Sequence, residues 1–203
     1  MSAPDSENKF ECEVRFLIKD IKPILKKLQK LGASKILDYE FDDYYYQPVC
    51  KSWNLIEKTL RIRQWLEPAR PTVVYITKNE VIEIEGLKFK RSLYEQGKVV
   101  LLKGRLDFCK EVLTDMGFEL NFVVHKRKGQ VWQVKEDDSE VILEYVENFG
   151  WTGELEFEGI DPFETKEKIQ KTLQILGLDE HSVTHKPMSA LFKEKNYKIF
   201  ENN

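Results

Sequence analysis

The chain has 203 residues, 41% of them hydrophobic and 33% charged. That apolar fraction excludes a disordered chain, which could not bury enough surface to order itself, and no apolar run exceeds five residues, far short of a membrane-spanning helix. With 32 Lys and Arg against 35 Asp and Glu the net charge is −3, so the chain as a whole is not built to sit on a nucleic-acid backbone. Cys12, Cys50 and Cys109 are far apart, odd in number and form no C-x-x-C pair. A disulfide framework or zinc knuckle is therefore not expected, and a reducing, cytoplasmic setting fits. No apolar stretch follows the opening MSAPDSENK, so no secretory signal is expected.

Residues 1–9 read as a polar, flexible start. Residues 10–18 (FECEVRFLI) alternate as a strand should, with Phe10, Cys12, Val14 and Phe16 on one face and Glu11, Glu13 and Arg15 on the other. Asp20 offers a helix N-cap, and Ile21, Ile24, Leu25, Leu28 and Leu31 form a helical stripe ending at Gly32. An extended segment over 33–46 and a loop over 47–57 follow. Strands are predicted at 59–66 and 72–77, split by the turn EPARP, and again over 81–96 with Gly86 as a break. Leu106, Cys109, Val112, Leu113 and Met116 mark a second helix closed by Gly117. Strands are then expected at 118–126, 130–135, 141–145 and 154–157, with Gly150 and Gly153 flanking a turn before the last. Asp161-Pro162-Phe163-Glu164 is a strong helix start, and Ile169, Leu173 and Leu176 carry that helix to Gly177. The tail from 178 is polar, with a short LFKEKNYKIF segment. A strand–helix–strand layout ending in LxxLG at Gly32 recurs as LxxMG at Gly117, an offset of 85 residues, with no linker between the halves. Residues 1–203 read as one domain of many antiparallel strands and a few helices.

Several strands carry charges at every second position, which puts them on one face: Glu11, Glu13 and Arg15; Arg61 and Arg63; Lys126 and Lys128, with Glu144 in the next strand; Glu154 and Glu156. Any one pair alone is ordinarily the solvated face of a half-buried sheet. As a set, with apolar Cys12, Val14, Ile62 and Leu155 between them, they imply a shared charged face opposite a buried one. Bent into a barrel, that face becomes an interior that is costly unless its charges pair or meet a ligand. A metal-bound polyphosphate suits it: carboxylates hold a hard cation, and Arg and Lys hold phosphate oxygens.

The opening ExExR, then LRIR, VVYITK, a K-x-K strand and LEYVENFG followed by ExE resemble, in this order, the CYTH or triphosphate tunnel metalloenzyme family, over about residues 10–193. The third place of the family's opening motif is Lys, and here it is Arg15; Glu144 stands for an Asp, and Phe149-Gly150 for Leu-Gly. The resemblance implies an α+β fold, a closed antiparallel β-barrel of about eight strands with helices packed outside, forming a tunnel. It implies Mg²⁺ or Mn²⁺ on Glu11, Glu13, Glu95, Glu144, Glu154 and Glu156, and a triphosphate on Arg15, Arg61, Arg63, Lys78, Arg91, Lys126 and Lys128. Glu11, Glu13 and Lys78 would serve catalysis. By parity Arg127 should point away. The family's mid-chain strand has Arg followed by ExE, and two segments compete for it: Glu83-x-Glu85, and Arg91-x-Leu93-x-Glu95, which is favoured by its distance to the second helix and leaves Leu93 in place of a carboxylate. The KPMSALFKEKN stretch loosely resembles the segment that closes the family's tunnel.

His181 and His185 are four apart but follow Gly177 in a loop and lack an HExxH context, so a ligand role is not favoured. Ser/His/Asp catalysis and a Cys nucleophile have no local support. Tyr44, Tyr45, Tyr46 and Trp53 could stack on a base, although aromatic strand residues are more often core. The function implied by the resemblance is a metal-dependent enzyme on a triphosphate such as ATP, tripolyphosphate or thiamine triphosphate. A class IV adenylyl cyclase-like reaction is favoured, with an inorganic or thiamine triphosphatase as one alternative and a non-catalytic polyphosphate-binding module as another. No nucleic acid and no membrane is expected as partner; a homodimer is admitted.

Overall fold

The computed structural model describes residues 10–94, 96–134, 139–159, 161–179 and 182–201. Its elements run β1 (Phe10–Ile18), α1 (Lys22–Lys30), β2 (Ser34–Pro48), β3 (Lys58–Glu67), β4 (Thr72–Ile84), β5 (Leu87–Ser92), β6 (Val99–Gly104), α2 (Leu106–Asp115), β7 (Phe118–Val134), β8 (Ser139–Val146), β9 (Gly150–Gly159), α3 (Pro162–Leu176), β10 (Val183–Thr184) and α4 (Met188–Glu201). Eight strands follow one another as β1-β5-β4-β3-β2-β7-β8-β9, and β9 returns to β1 along its whole length, from Phe10↔Gly159 to Ile18↔Trp151. All pairings are antiparallel, so the sheet is a ring. β6 pairs with the first half of β4 and β5 with the second, while β10 adds to β1 beyond β5.

Alternation decides which side chains enter the ring. Cys12, Val14 and Phe16 of β1, Leu155 and Phe157 of β9, Phe89 of β5 and Leu143 of β8 turn outward. They are buried with Ile24 and Leu28 of α1 and Ile169, Leu173 and Leu176 of α3. Each such fully buried aliphatic side chain contributes roughly 1.5–3 kcal/mol. Leu60, Ile62 and Val74 are covered in the same way by Cys109 and Leu113 of α2. Asp161 caps α3 by accepting from the Phe163 N–H at 2.9 Å, and Asp20 accepts from the Lys22 N–H at 3.0 Å at the start of α1. The two glycines of the internal echo, Gly32 and Gly117, both adopt positive φ (64° and 81°) just after α1 and α2. The strands that follow them, β2 and β7, pair with each other from Ser34↔Gln133 to Pro48↔Phe118.

Several elements differ from the sequence expectation. β4 is one strand through Ile84, because β3 and β6 hold its first half and β5 takes over the second. β7 is likewise continuous, with a bulge between Arg127 and Gln130 in place of a break. β6 was not anticipated, and the polar tail forms α4, whose Met188 and Phe192 pack on Tyr45, Val124 and Val146. Gly153 does not flank a turn: it lies inside β9, opposite Phe16, where a Cβ would sit 2.1 Å from the buried Phe16 ring.

That contact gives a prediction for ring closure. Gly153→Ala should overpack the β1–β9 seam and cost about 1–3 kcal/mol, read as a lower urea midpoint at unchanged m-value; an unchanged midpoint would mean that the seam is looser than described.

Candidate active site

The inward faces of the ring enclose a cavity of about 190 Å³. β1 contributes Glu11, Glu13 and Arg15, β9 Glu154 and Glu156, β8 Glu144, β3 Arg61 and Arg63, β7 Lys126 and β5 Lys90, while Lys98 enters just before β6. The period-two pattern puts them there, because the residues between them are held outward by the helices.

Most of these charges are already paired. Arg15 donates to Glu144 at 3.0 Å, to Thr152 at 3.3 Å and, through its other terminal nitrogen, to Glu154. Glu144 also pairs with Lys126 at 2.9 Å and accepts from the Tyr39 hydroxyl at 2.7 Å. Burial alone would raise the Glu144 pKa, but Lys126 and Arg15 hold it below the usual carboxylate range. Glu13 is ion-paired with Lys90 and is likewise lowered against the effect of its burial. On the opposite wall Arg63 forms a fork with Asp43, both bonds 2.8 Å, and Arg61 adds a 3.5 Å ion pair. Burial opposes ionisation of Asp43, yet the two guanidiniums bring its pKa down to about 2.

Two features mark what is left open. One carboxylate oxygen each from Glu11, Glu13 and Glu156 lies within 4.8 Å of the others. Burial and the neighbouring Glu154, Glu11 and Glu13 carboxylates push Glu156 well above the usual range, so a cation there would relieve real repulsion. Hard oxygen donors of this kind suit Mg²⁺ or Mn²⁺. Glu11 also lies against Gly97, where a Cβ would meet its carboxylate at 2.1 Å. The second feature is a set of buried polar atoms with no hydrogen-bond partner among the described residues: Arg15 Nε, Arg61 Nε, Asn79 Oδ1 and Ser189 Oγ. All four belong to residues lining this one cavity. Orphan polar groups are rare in folded proteins, and their convergence gives the cavity a polarity that a ligand would complete.

The ring brings together Glu11, Glu13, Arg15, Arg61, Arg63, Lys126, Glu144, Glu154 and Glu156. Within it, however, Glu144 and Glu154 stand outside the three-carboxylate group, because Arg15, Lys126 and Tyr39 occupy them. Three expected phosphate binders lie elsewhere. Lys78 shares the outward face of β4 with Val74 and Ile76, which pack under α2, and is exposed. Arg91 shares the outward face of β5 with Phe89, pairing with Glu80 instead. Lys128 sits in the β7 bulge with φ 51°, which breaks the alternation that would have turned it inward. Of the mid-chain residues, Glu83 pairs with Lys88 and Glu85 with Lys166, both away from the cavity, and Leu93 is exposed, while Glu95 lies outside the described residues. Arg127 does point away, to Asp42 at 2.8 Å.

Lys90 and Lys98 take the place of the missing cations. Lys90 was legible: Leu87 and Phe89 are apolar, so the alternate position belongs inside. Asp43, Asn79 and Ser189 carry no such signal, because one of two adjacent Asp residues in DDYYY, an Asn and a Ser fit many places. Of the candidate stacking residues only Tyr45 lines the cavity; Tyr44 bonds Gln64 and Trp53 packs on Phe118. His185 lies in a separate outer groove with Lys88 and Glu83, and His181 is outside the described residues.

A ring of antiparallel strands with paired carboxylates, arginines and lysines turned inward defines an antiparallel tunnel protein with a polar bore. The CYTH domain family model matches residues 9–187, and the chain belongs to that family. Among solved structures, the PH1012 protein of Pyrococcus horikoshii OT3 is 25% identical, covering 87% of this chain and 96% of its own, with a TM-score of 0.64. A candidate adenylate cyclase of Vibrio parahaemolyticus is 16% identical over 92% of this chain and 99% of its own, with a TM-score of 0.70. An adenylyl cyclase candidate of Hippeastrum, described as having a dominant triphosphatase activity, is 14% identical over 92% and 95%, with a TM-score of 0.61. No curated protein gives a significant sequence match. No helix among the described residues is long and apolar enough to cross a membrane.

The Asp43 fork yields a pH prediction. A carboxyl depressed from 3.8 to about 2 stabilises the fold above its unfolded pKa and loses that contribution as pH falls from about 4 to 2. Wild-type stability should lose about 2 kcal/mol to this group across that window, and Asp43→Asn, less stable at neutral pH, should lack that part of the acid slope in pH-resolved urea unfolding.

Proposed function

We propose that this chain is a divalent-metal-dependent enzyme acting on a triphosphate. The observation that carries the reading is the division of one narrow cavity: Glu11, Glu13 and Glu156 cluster on the β1–β9 side, while Arg61, Arg63 and Lys126 line its other strands. Membership of the CYTH family supports it, as does the activity named for the Hippeastrum protein.

In this reading Glu11, Glu13 and Glu156 hold Mg²⁺ or Mn²⁺. Bound there, such an ion neutralises phosphate charge and favours departure of the leaving oxygen. Arg15, Arg61, Arg63, Lys90, Lys98 and Lys126 hold the phosphate oxygens. The pairing of these charges then has a purpose: Glu144 and Glu154 hold Arg15 along the β1–β9–β8 wall, and Asp43 keeps Arg63 and Arg61 side by side, so little reorganisation is needed when the anion arrives. In this reading a carboxylate of the Glu11–Glu13–Glu156 group would also orient the attacking water.

The sequence resemblance favours cyclisation of ATP. The cavity volume of about 190 Å³ supports hydrolysis of a terminal phosphate more strongly. Pockets that bury a drug-sized ligand hold roughly 300–1,000 Å³, so this bore has room for the phosphate chain while the organic group stays at its mouth. A cyclase must bring the ribose 3′-oxygen onto the α-phosphorus, which asks for more enclosed space.

Product analysis with ATP, thiamine triphosphate and tripolyphosphate plus Mg²⁺ or Mn²⁺ tests this reading. Orthophosphate is expected, cyclic AMP with pyrophosphate would restore the cyclase, and no product with intact binding would leave a binding module. EDTA should abolish turnover. Glu156→Gln should lower turnover by at least the roughly 10–100-fold that loss of a metal-site partner costs, while raising the melting temperature of the metal-free chain through relief of repulsion. Substitution of Lys90 or Lys126 by Met should weaken tripolyphosphate binding, and Lys78→Met should leave it unchanged.

A further inference from the structure

Part of the cavity lining comes from outside the ring and takes no part in its charged network. Pro187, Met188 and Ser189, at the start of α4, line the cavity beside the side chains of the strands. Met188 and Phe192 fix the helix against Tyr45, Val124 and Val146, and the Phe192 ring stacks 5.9 Å from that of Phe122. Lys195 donates to the Phe149 carbonyl at 2.9 Å from the next turn. The helix start is therefore anchored on three strands and does not hang free over the bore.

Ser189 is 1% exposed, and its Oγ is one of the buried atoms without a partner. A serine near a helix start usually turns its oxygen back to cap the backbone. Here the first bonds of α4, from the Ala190 and Leu191 N–H groups at 3.0 and 3.2 Å, go to the Pro187 carbonyl, and the hydroxyl takes no part. The N–H groups of Met188 and Ser189 precede the first intrahelical bonds, and a helix start favours negative charge. On the neighbouring wall the Arg61 Nε, on a residue whose Cα pairs with that of Tyr45, makes no hydrogen bond among the described residues and holds only the 3.5 Å ion pair to Asp43.

We propose that the start of α4 is a phosphoryl-binding subsite at one end of the tunnel, in which the Ser189 hydroxyl and the first-turn N–H groups donate to one phosphate of the triphosphate together with Arg61. The inference rests on the triphosphate reading above and adds a residue and an element to it. It gives the tail helix a chemical role besides packing on β2, β7 and β8: a polyphosphate end that reaches α4 completes the hydrogen bonding of a serine that the protein alone leaves unmet.

The test uses the full chain with Mg²⁺ and the imido analogue of tripolyphosphate, whose bridging nitrogens resist hydrolysis, titrated calorimetrically into wild type, Ser189→Ala and Ser189→Thr. Loss of one hydrogen bond to a charged oxygen should weaken Ser189→Ala by roughly 10-fold, while Thr keeps the hydroxyl and should keep the affinity. The ligand-free melting temperature of Ser189→Ala should be unchanged or higher, because an unmet buried hydroxyl has been removed. Unchanged affinity in Ser189→Ala would overturn the subsite and leave the triphosphate reading standing. Weaker binding accompanied by a lower ligand-free melting temperature would assign Ser189 to packing and also overturn it. A wild-type chain that does not bind the analogue would overturn the triphosphate reading and this subsite together.

Discussion

Closing eight strands into a ring turns every second side chain into a bore too narrow to solvate it, and the rest of the structure follows from how those charges are settled. Six cations (Arg15, Arg61, Arg63, Lys90, Lys98 and Lys126) and six carboxyl groups (Glu11, Glu13, Asp43, Glu144, Glu154 and Glu156) belong to this interior among the described residues. Removing ions from water costs several kcal/mol each even after relaxation, and apolar residues would usually stabilise a fold as well or better. A bore of this kind is thus a poor device for stability and a good one for holding charge in fixed places.

The stability comes from the other face. The outward apolar residues of β1, β5, β8 and β9 are sealed by α1 and α3, and those of β3 and β4 by α2. Tyr39, Phe41 and Val131, with Leu37, Trp65 and Ile142, form an apolar cluster in the ring itself, and the Arg63 guanidinium lies 3.6 Å from the Phe41 ring centroid. That contact and the Asp43 fork hold the same guanidinium from two directions. Positioning and packing therefore meet at single residues, which is how a charged site remains rigid before its ligand arrives.

The paired charges differ in how readily they can be released. Glu144 has three partners and Asp43 two, so both are committed to aligning cations. Glu11, Glu13 and Glu156 crowd one another, with Lys90 as the nearest counterweight on Glu13. Crowded like charges and unpartnered donors are complementary shortfalls. A divalent cation meets the first and a phosphate chain the second, which is why the two are expected to bind together.

What the sequence determined by itself is the alternation. Charges two apart in FECEVRFLI, LRIR and GELEFE, with apolar residues between them, already assign Glu11, Glu13, Arg15, Arg61, Arg63, Glu154 and Glu156 to one face, because a strand has a fixed period and its apolar face must be buried. The same rule, applied to LKFKRS, would have chosen Lys90 over Arg91. What only the tertiary structure decided lies where that period fails or is silent. The bulge at Lys128 resets the alternation of β7 locally, and the outward side of β4 at Lys78 is fixed by α2 packing on Val74 and Ile76. Whether an inward carboxylate is free for a metal or spent on an arginine depends on neighbours contributed by other strands, as the fates of Glu156 and Glu144 show. Ser189 reaches the bore only because α4 packs back onto β2, β7 and β8, and no local pattern records a contact between residues so far apart in the chain.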